Sequence, residues 1–452
     1  MSRNQRLIQE KQEKRAGGGS GEDGREDQGD SAMNQQLDIP SGWLIKRLSY
    51  LIKSMDAGVS VNSEDRKANH GEYGILKTSA VTTGVFNANE NKAILASEVK
   101  RAKILPTGDR IIMSRMNTPV LVGANAYVPQ AISNLFLPDR LWLLTPKEDR
   151  VNMRWLAFVL GSPKYRSKLS SFATGTSNSM KNITKEDVAS LLVLIPPLPE
   201  QKAIAALLST WDQAIEKTER LIQAKENSLK AQIQRIMGKE AIDANGWPMA
   251  HLGKLFSEVT RKVGRKELTP FSISAGIGFV SQSEKWGKDI SGAQYKNYTH
   301  LKAGEFSYNK GNSKRYQQGC VYLLKEGEIC VPNVFISFKA RANKDVVPEF
   351  FEHYFIADYH ARELKRYITS GARSDGLLNL DKKDFFKIMV PCPSPGEQKN
   401  IAESLNASQH EIDLLKRLAE KYKTQKRGLM QKILTGQWRI RPEIVERYVE
   451  VV

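Results

Sequence analysis

The stretch PLPEQKAIAALLSTWDQAI, residues 197–215, has a counterpart in PSPGEQKNIAESLNASQHEI, residues 393–412. Each begins with closely spaced prolines, passes through Glu-Gln-Lys and enters a long amphipathic pattern. Without a gap, residues 200–237 and 397–434 agree at 11 of 38 positions. In the first copy the shared residues are Glu200, Gln201, Lys202, Ile204, Ala205, Leu208, Ile215, Arg220, Leu221, Gln234 and Ile236. The chain therefore carries one helical segment twice.

The duplication extends upstream of these helices. GWLIKRL at Gly42 resembles GWPMAHL at Gly246, and GDRIIMSR at Gly108 resembles GEFSYNK at Gly304. NITKEDVASLLVLIP and NLDKKDFFKIMVPCP end the two preceding segments in the same order. We interpret the chain as a tandem repeat of a globular segment followed by a helix.

Apolar residues of both helices recur alternately four and three positions apart, the spacing of a coiled-coil seam. The seam residues are Ile204, Leu208, Ile215, Ile222, Leu229 and Ile236 in the first helix and Ile401, Leu405, Ile412, Leu415, Leu429 and Ile433 in the second. Polar residues also occupy the seam, at Lys225, Gln232 and Lys426. We predict that the two helices pair antiparallel as a spacer. The alternative is an amphipathic helix packed only on its own globular segment.

The globular segments mix strand-like and helix-like patterns, so the predicted fold class is α/β (α+β), with two similar globular domains separated by the two helices. Strand-like runs include DRIIMSR and PVLVG, the latter at residues 119–123, whereas the segment from Val151 is helix-like. The two halves differ strongly in their middle parts. The predicted domains are a disordered Gly-rich and charged tail (1–32), a first globular domain (38–198), a central helix (199–240), a second globular domain (245–395), a C-terminal helix (396–437) and an extension (438–452).

The charge indicates a polyanionic partner. The 452 residues carry 68 Lys and Arg against 50 Asp and Glu, a net charge of +18 and a pI near 9.6. Nucleic acid is favoured over a basic protein without such a partner, or over a membrane surface. The sequence has no run that would span a bilayer and no secretory signal, so we expect a cytoplasmic protein. Three cysteines without metal-like spacing indicate neither a disulfide framework nor a zinc site.

Signs of catalysis are weak. The chain lacks GxxxxGK[ST] and a GxGxxG after a strand, and its six histidines form no metal-binding spacing. We therefore expect a chain without enzymatic activity, and without a metal or cofactor of its own.

Residues suited to DNA contact cluster in four loop-like stretches. Arg and Lys pair with guanine acceptors or neutralise phosphates, and Asn and Gln pair with adenine. The candidates are Arg115, Asn117, Thr176, Asn178 and Lys181 in the first segment and Tyr308, Lys310, Lys314, Arg315 and Arg373 in the second. Each taken alone is equally well explained as a solvated loop residue, and the sequence assigns no base to any of them.

The duplicated architecture, the PPLPEQ and PSPGEQK junctions, the paired seams and the terminal GLMQKILTGQWRI resemble the specificity subunit of type I restriction-modification systems over about residues 38–440. The resemblance implies that each globular domain reads one half of a split, asymmetric double-stranded DNA target, while the helices fix the gap. It also implies a subunit without catalytic activity in a system that defends against foreign DNA.

The resemblance implies partners as well. Two methyltransferase subunits would bind S-adenosylmethionine and methylate adenine, and motor-nuclease subunits would use ATP and Mg²⁺ to cleave DNA. Glu200, Gln201 and Lys202, and likewise Glu397, Gln398 and Lys399, would form repeated docking surfaces for the two methyltransferase subunits. Two other functions remain open from the residues: a coiled-coil scaffold without DNA specificity, and a stand-alone nuclease or methyltransferase.

Overall fold

The computed structural model describes residues 39–147, 149–174, 180–288, 292–311, 313, 315–368 and 377–449. The chain forms two compact units, the first from residues up to Trp211 together with those from Gln425 onward, and the second from Asp212–Thr424. The predicted tail at residues 1–32 lies outside the described residues. Among those residues, every helix is too short or too polar to cross a bilayer.

The first unit contains twelve strands among its described residues. They are β1 (Leu44–Arg47), β2 (Ile52–Ala57), β3 (Ser63–Glu64), β4 (Gly74–Leu76), β5 (Asn91–Ile94), β6 (Arg110–Ser114), β7 (Met116–Asn117), β8 (Asn125–Val128), β9 (Leu135–Phe136), β10 (Leu141–Pro146), β11 (Lys181–Asn182) and β12 (Leu192–Ile195). Short 3-10 turns cover Leu48–Tyr50, Thr78–Val81, Ala96–Arg101 and Glu446–Tyr448.

The second unit has ten strands among its described residues. They are β13 (Met249–His251), β14 (Phe256–Glu258), β15 (Phe271–Ser274), β16 (Gly278–Ser281), β17 (Thr299–Lys302), β18 (Phe306–Asn309), β19 (Cys320–Leu323), β20 (Glu328–Val331), β21 (Ile336–Ala340) and β22 (Met389–Pro391). A 3-10 turn covers Gly292–Asn297.

The helices follow the duplication. They are α1 (Met153–Gly161), α2 (Pro163–Ser171), α3 (Lys185–Ser190), α4 (Leu198–Met237), α5 (Lys239–Ala244), α6 (Leu252–Leu255), α7 (Gln282–Trp286), α8 (Pro348–Ile356), α9 (Ala361–Leu364), α10 (Lys382–Phe385), α11 (Pro395–Ile433) and α12 (Pro442–Val445). The helix-like segment from Val151 is interrupted at Ser162, because Pro163 has no N–H to continue the ladder and instead starts a new helix.

Both units are built on the same four-strand frame. Its strand order is β2-β10-β6-β8 in the first unit and β14-β21-β18-β19 in the second, and all neighbours are antiparallel. A separate two-stranded pair closes each unit, β1 with β12 and β13 with β22. These matching topologies confirm the duplicated mixed fold that the sequence predicts.

The remaining small sheets differ between the units. The first has a four-stranded sheet in the order β3-β5-β4-β9, whereas the second has two separate ribbons, β15-β16 and β17-β20. The unlike middle parts of the sequence therefore form unlike structures on a common frame.

The long helices α4 and α11 run antiparallel in both units. In the second unit Lys225 contacts Glu411 at 2.8 Å, Lys416 contacts Glu226 at 2.6 Å and Lys423 contacts Glu219 at 3.0 Å. From Glu219, which pairs with Lys423, to Gln232, which pairs with Ser404, residue numbers rise on α4 and fall on α11, so the predicted antiparallel pairing is confirmed. In the first unit, Ile204 and Leu208 share the core with Ile433.

Every predicted seam residue is buried or half-buried, including the polar ones. Gln232 donates from Nε2 to Ser404 Oγ at 3.1 Å and accepts from Ser408 Oγ at 3.3 Å. The ammonium of Lys426 lies 5.0 Å from the Phe158 ring centre. Polar seam positions thus have partners across the helix pair or on the globular part of the same unit.

Candidate DNA-recognition interface

A short two-stranded ribbon brings two of the predicted DNA contacts together. In this recognition ribbon, β7 pairs antiparallel with β11, so Asn117 lies opposite Lys181 although 64 residues separate them (181 − 117). Asn117 accepts from the Thr118 N–H at 2.8 Å and donates to Ser114 Oγ at 3.3 Å, which orients its amide. The side chains of Asn117 and Lys181 remain half-exposed. The ribbon therefore places a half-exposed amide opposite a half-exposed cation.

The loop Thr118–Gly123, called the apolar loop below, follows the ribbon directly. Part of it was predicted as a strand from PVLVG, and that prediction is wrong. The segment is a tight turn, with the N–H groups of Leu121 and Val122 both donating to the Thr118 carbonyl. Gly123 has a φ of +72°, and a Cβ there would lie 2.9 Å from Leu169, so the turn needs glycine.

Helix α2 holds the apolar loop from behind. Arg166 Nη2 donates to the Val120 carbonyl at 2.9 Å, and Ser170 Oγ donates to the Pro119 carbonyl at 2.7 Å. The side chain of Val120 is nevertheless 80% exposed. The loop is fixed at its backbone and presents an apolar side chain to its surroundings.

Two arginines at the base of this loop have unsatisfied nitrogens. Nε of Arg115 and Nη1 of Arg166 are buried and lack a hydrogen-bond partner among the described residues. Burial lowers the pKa of the Arg166 guanidinium, because desolvation disfavours its charge. Arg115 and Arg166 therefore place two cationic side chains at the base of the loop.

The second unit has a related but weaker connection at the same point of its frame. Gly311, just after β18, forms an isolated bridge with Leu377, and Lys310 Nζ donates to the Leu380 carbonyl at 2.9 Å. Arg315 is exposed, and its guanidinium carbon lies 5.3 Å from the Tyr316 ring centre. Lys310 therefore fastens the segment that carries it, and Arg315 presents a free surface.

Tyr308 is buried, so it offers no surface for the DNA contact that the sequence predicts. Its ring has no exposed surface, stacks on Phe385 with 4.8 Å between ring centres, and donates its hydroxyl to the Gln318 carbonyl at 2.7 Å. Burial raises the pKa of this phenol. The side chain belongs to the core because it lies on β18, whose residues face the packed interior. The predicted contacts Thr176, Asn178, Lys314 and Arg373 lie outside the described residues.

Three of the six predicted docking residues are internal. Glu200, Gln201 and Gln398 are 3%, 1% and 1% exposed. Glu200 accepts from Trp43 Nε1 at 2.9 Å and from Arg439 Nε and Nη2 at 2.6 and 2.8 Å. These three residues join elements of their own unit and offer no surface to a partner, so this part of the prediction is wrong.

The other three differ in their surroundings. Glu397 and Lys399 are exposed, and Lys202 is half-buried. The carboxylate of Glu397 accepts from the Ser394 N–H and hydroxyl at 2.9 and 2.6 Å, which caps α11 and holds the pKa of Glu397 below its usual range.

Sequence reasoning missed an exposed pair of repeated leucines. Leu221 and Leu418 are identical in the alignment of the two helices and are 44% and 37% exposed. Leu414 lies one turn before Leu418 and is 49% exposed. The sequence did contain a sign of these leucines, because they are identical in the two repeats although they lie outside the coiled-coil seam. An identical residue that is not needed for the core is a candidate for contact with a partner.

A buried acid–imidazole pair in the second unit serves no evident recognition role. His360 is fully buried, neither ring nitrogen has a hydrogen-bond partner among the described residues, and Nδ1 lies 3.9 Å from Asp358 Oδ1. Burial lowers the pKa of His360 to about 3 and raises the pKa of Asp358 to about 6. Among the described residues, no three His, Cys, Asp or Glu side chains converge as a metal site requires.

Most of the chain is similar in sequence to known proteins of one class. Residues 40–226 match the family model described as type I restriction modification DNA specificity domain. A relative from Methanocaldococcus jannaschii, named a type I restriction enzyme MjaX specificity subunit, is 23% identical over 426 residues, covering 89% of this chain and 95% of its own. The EcoKI specificity subunit of Escherichia coli K12 is 22% identical over 442 residues, covering 89% and 91%.

A solved structure has the same fold. The type I restriction-modification S subunit from M. genitalium superimposes with a TM-score of 0.55 at 16% identity, covering 88% of this chain and 97% of that one. Together these matches confirm the resemblance that the repeated junctions and seams indicate.

Proposed function

We propose that this chain, whose residues 40–226 belong to the type I restriction modification DNA specificity domain family, is the sequence-recognising subunit of a type I restriction-modification complex. The main support for this proposal is that both units share one four-strand frame but carry different small sheets. A fold that is repeated with two different surfaces is suited to binding two different DNA half-sites. The net charge of +18 supports a nucleic-acid partner.

Each unit reads one half of a bipartite target. In the first unit the recognition ribbon and the apolar loop supply the reading surface, with the half-exposed Asn117 and Lys181 facing the DNA and Arg115 and Arg166 adding positive charge beneath them. In the second unit Arg315 and the segment fastened by Lys310 take that role. Because the surfaces differ, the two half-sites differ and the target is asymmetric.

The helix pair sets the nonspecific gap between half-sites. Helices α4 and α11 have 40 and 39 residues, about 60 Å each at 1.5 Å per residue. This exceeds one helical turn of B-DNA, about 34 Å.

The chain has no catalytic role of its own, and chemistry comes from its partners. Two methyltransferase subunits that use S-adenosylmethionine dock on the helices, and motor-nuclease subunits that use ATP and Mg²⁺ join the complex. The exposed Leu221, Leu414 and Leu418 support docking on the helix pair, since apolar side chains outside a seam suit a partner surface.

Footprinting tests this function. In complex with methyltransferase subunits, the chain should protect two short patches separated by at least about one helical turn, and binding should weaken steeply with salt. A scaffold without specificity would bind the target and scrambled competitors equally, and one continuous patch would contradict two reading units.

A domain exchange tests the division of labour. Replacing residues 40–195 with those of another specificity subunit should change one half of the methylated sequence and leave the other half and the gap intact. Inserting one heptad in each long helix should lengthen the gap. A gap that stays fixed would contradict the role of the helices.

A further inference from the structure

The apolar loop exposes a side chain that has no structural role. Val120 is 80% exposed, the largest fraction for a large hydrophobic residue among the described parts of the chain. Its backbone is held on both sides, through the Pro119 and Val120 carbonyls bonded to Ser170 and Arg166. An apolar side chain on a backbone held by two such hydrogen bonds loses less conformational entropy on binding a ligand than one on an unsupported loop.

The surroundings of this side chain indicate the ligand class. Asn117 and Lys181 lie in the recognition ribbon from which the loop departs. Arg115 and Arg166 add positive charge at the base of the loop, although their unpaired Nε and Nη1 atoms are themselves buried among the described residues. A hydrogen-bonding amide, cations and one apolar tip match the groups that a DNA groove presents: base edges, phosphates and the thymine methyl.

We propose that Val120 is a specificity-determining residue of the first unit and contacts the C5-methyl group of a thymine in the first half-site. The inference rests on the proposed function and names one contact within it. A β-branched side chain such as valine has few rotamers, so it presents its methyl groups in a fixed place. Thymine is the base whose methyl group stands in the major groove, which makes an apolar contact there selective.

Deoxyuridine provides the test, because it pairs as thymine does and lacks only the methyl group. With the target mapped by methylation, duplexes in which each first-half thymine is replaced singly by deoxyuridine are bound to the complex with its methyltransferase subunits. One replacement should weaken binding about fourfold, the value for one methyl group removed from water. In the Val120→Ala variant the same deoxyuridine replacement should weaken binding less than twofold. In Val120→Ile it should still weaken binding about fourfold.

Val334→Ala is the matched control. Val334 is 46% exposed but lies in the second unit, so this variant should keep the full deoxyuridine penalty in the first half-site. Both valines are exposed, so neither substitution should unfold the chain.

The outcomes separate the contact from the function. Specific binding in which no first-half thymine is sensitive to deoxyuridine, or in which Val120→Ala keeps the full penalty, overturns the contact and leaves the proposed function standing. A complex that binds the target no better than scrambled DNA overturns the proposed function, and the contact with it.

Discussion

Gln201 and Gln398 make the same hydrogen bonds, each in its own unit. Oε1 of Gln201 accepts from the Asn152 N–H at 2.9 Å, and its Nε2 donates to the Pro196 carbonyl at 2.9 Å. Oε1 of Gln398 accepts from the Val347 N–H at 2.9 Å, and its Nε2 donates to the Pro393 carbonyl at 2.8 Å. The repeated Glu-Gln-Lys thus ties the first turn of each long helix to the start of the helix that covers the frame.

Replacing either glutamine with leucine should destabilise its unit. Leucine has a similar volume but leaves a buried N–H and a buried carbonyl unpaired, which costs about 1–3 kcal/mol. Chemical denaturation of Gln201→Leu and Gln398→Leu measures this loss. Gln213→Leu, at an exposed position of α4, should change stability by less than about 0.5 kcal/mol. Equal losses of stability in the Gln201, Gln398 and Gln213 variants would show that the hydrogen bonds of Gln201 and Gln398 contribute nothing.

The carboxylate of Glu200 should be the anchor of the C-terminal segment. Its side chain is 4% exposed and accepts two hydrogen bonds from Arg439, whose side chain is 41% exposed. Arg439→Ala leaves this carboxylate buried with only Trp43 as a donor, so we expect a loss of about 2–3 kcal/mol.

A double-mutant cycle isolates that contact. In a Glu200→Gln background, Arg439→Ala should lower the free energy of unfolding much less than it does in the original chain. Arg447→Ala, at an exposed position of the same segment, is the control and should have almost no effect. Additive effects of the Glu200 and Arg439 changes would contradict the anchoring role.

Asp358 should destabilise the second unit above pH 6. Its folded-state pKa of about 6 is above the ordinary value of 3.8, so its contribution is favourable below about pH 4 and is lost as pH rises through 6. Asp358→Asn removes the charge and keeps a residue type that tolerates the φ of +65°. The variant should be more stable than the original by on the order of 2 kcal/mol at pH 7.5.

The pH dependence of that difference is the decisive measurement. Thermal melting of the original protein and of Asp358→Asn should show a stability difference that is largest above pH 7 and close to zero at pH 4. His360 acts in the opposite direction, since its pKa is lowered and its stabilisation fades as pH falls. It is present in both proteins, so it cancels from the comparison. A stability difference that does not change with pH would show that the charge of Asp358 is not its cause.

Charging the exposed leucines should impair assembly. Leu221→Glu combined with Leu418→Glu places two carboxylates on the surface proposed for partner docking, so co-purification with the methyltransferase subunits should fall at least tenfold. Ala224→Glu with Lys421→Glu is the control, at exposed repeat-related positions of the same helices. Unchanged helical content by circular dichroism separates lost docking from lost folding. Equal assembly of both double variants would exclude these leucines from the interface.

The repeated domains and the two long helices could be predicted from the sequence, because repetition and periodicity are local patterns. The tertiary contacts of single residues could not. The seam from Ile204 to Ile433 was found because coiled-coil packing imposes a local spacing. Burial of Glu200 and Gln201 was missed because polar side chains near a helix start usually face solvent, and their partners Arg439 and Asn152 are distant in sequence. The PVLVG turn was missed because its apolar residues mimic a strand, whereas the hydrogen bonds that fix it come from α2.

The pairing of Glu200 with Arg439 also constrains synthesis on the ribosome. The core of the first unit includes Ile433 and Leu434, which are made only after the 213 residues of Asp212–Thr424 (424 − 212 + 1). At 5–20 residues per second, that interval lasts about 10–40 s. Until the residues from Gln425 onward are made, the early-made part exposes the apolar surface that they later cover, so a chain stalled before that point is the species most prone to aggregate or to need a chaperone.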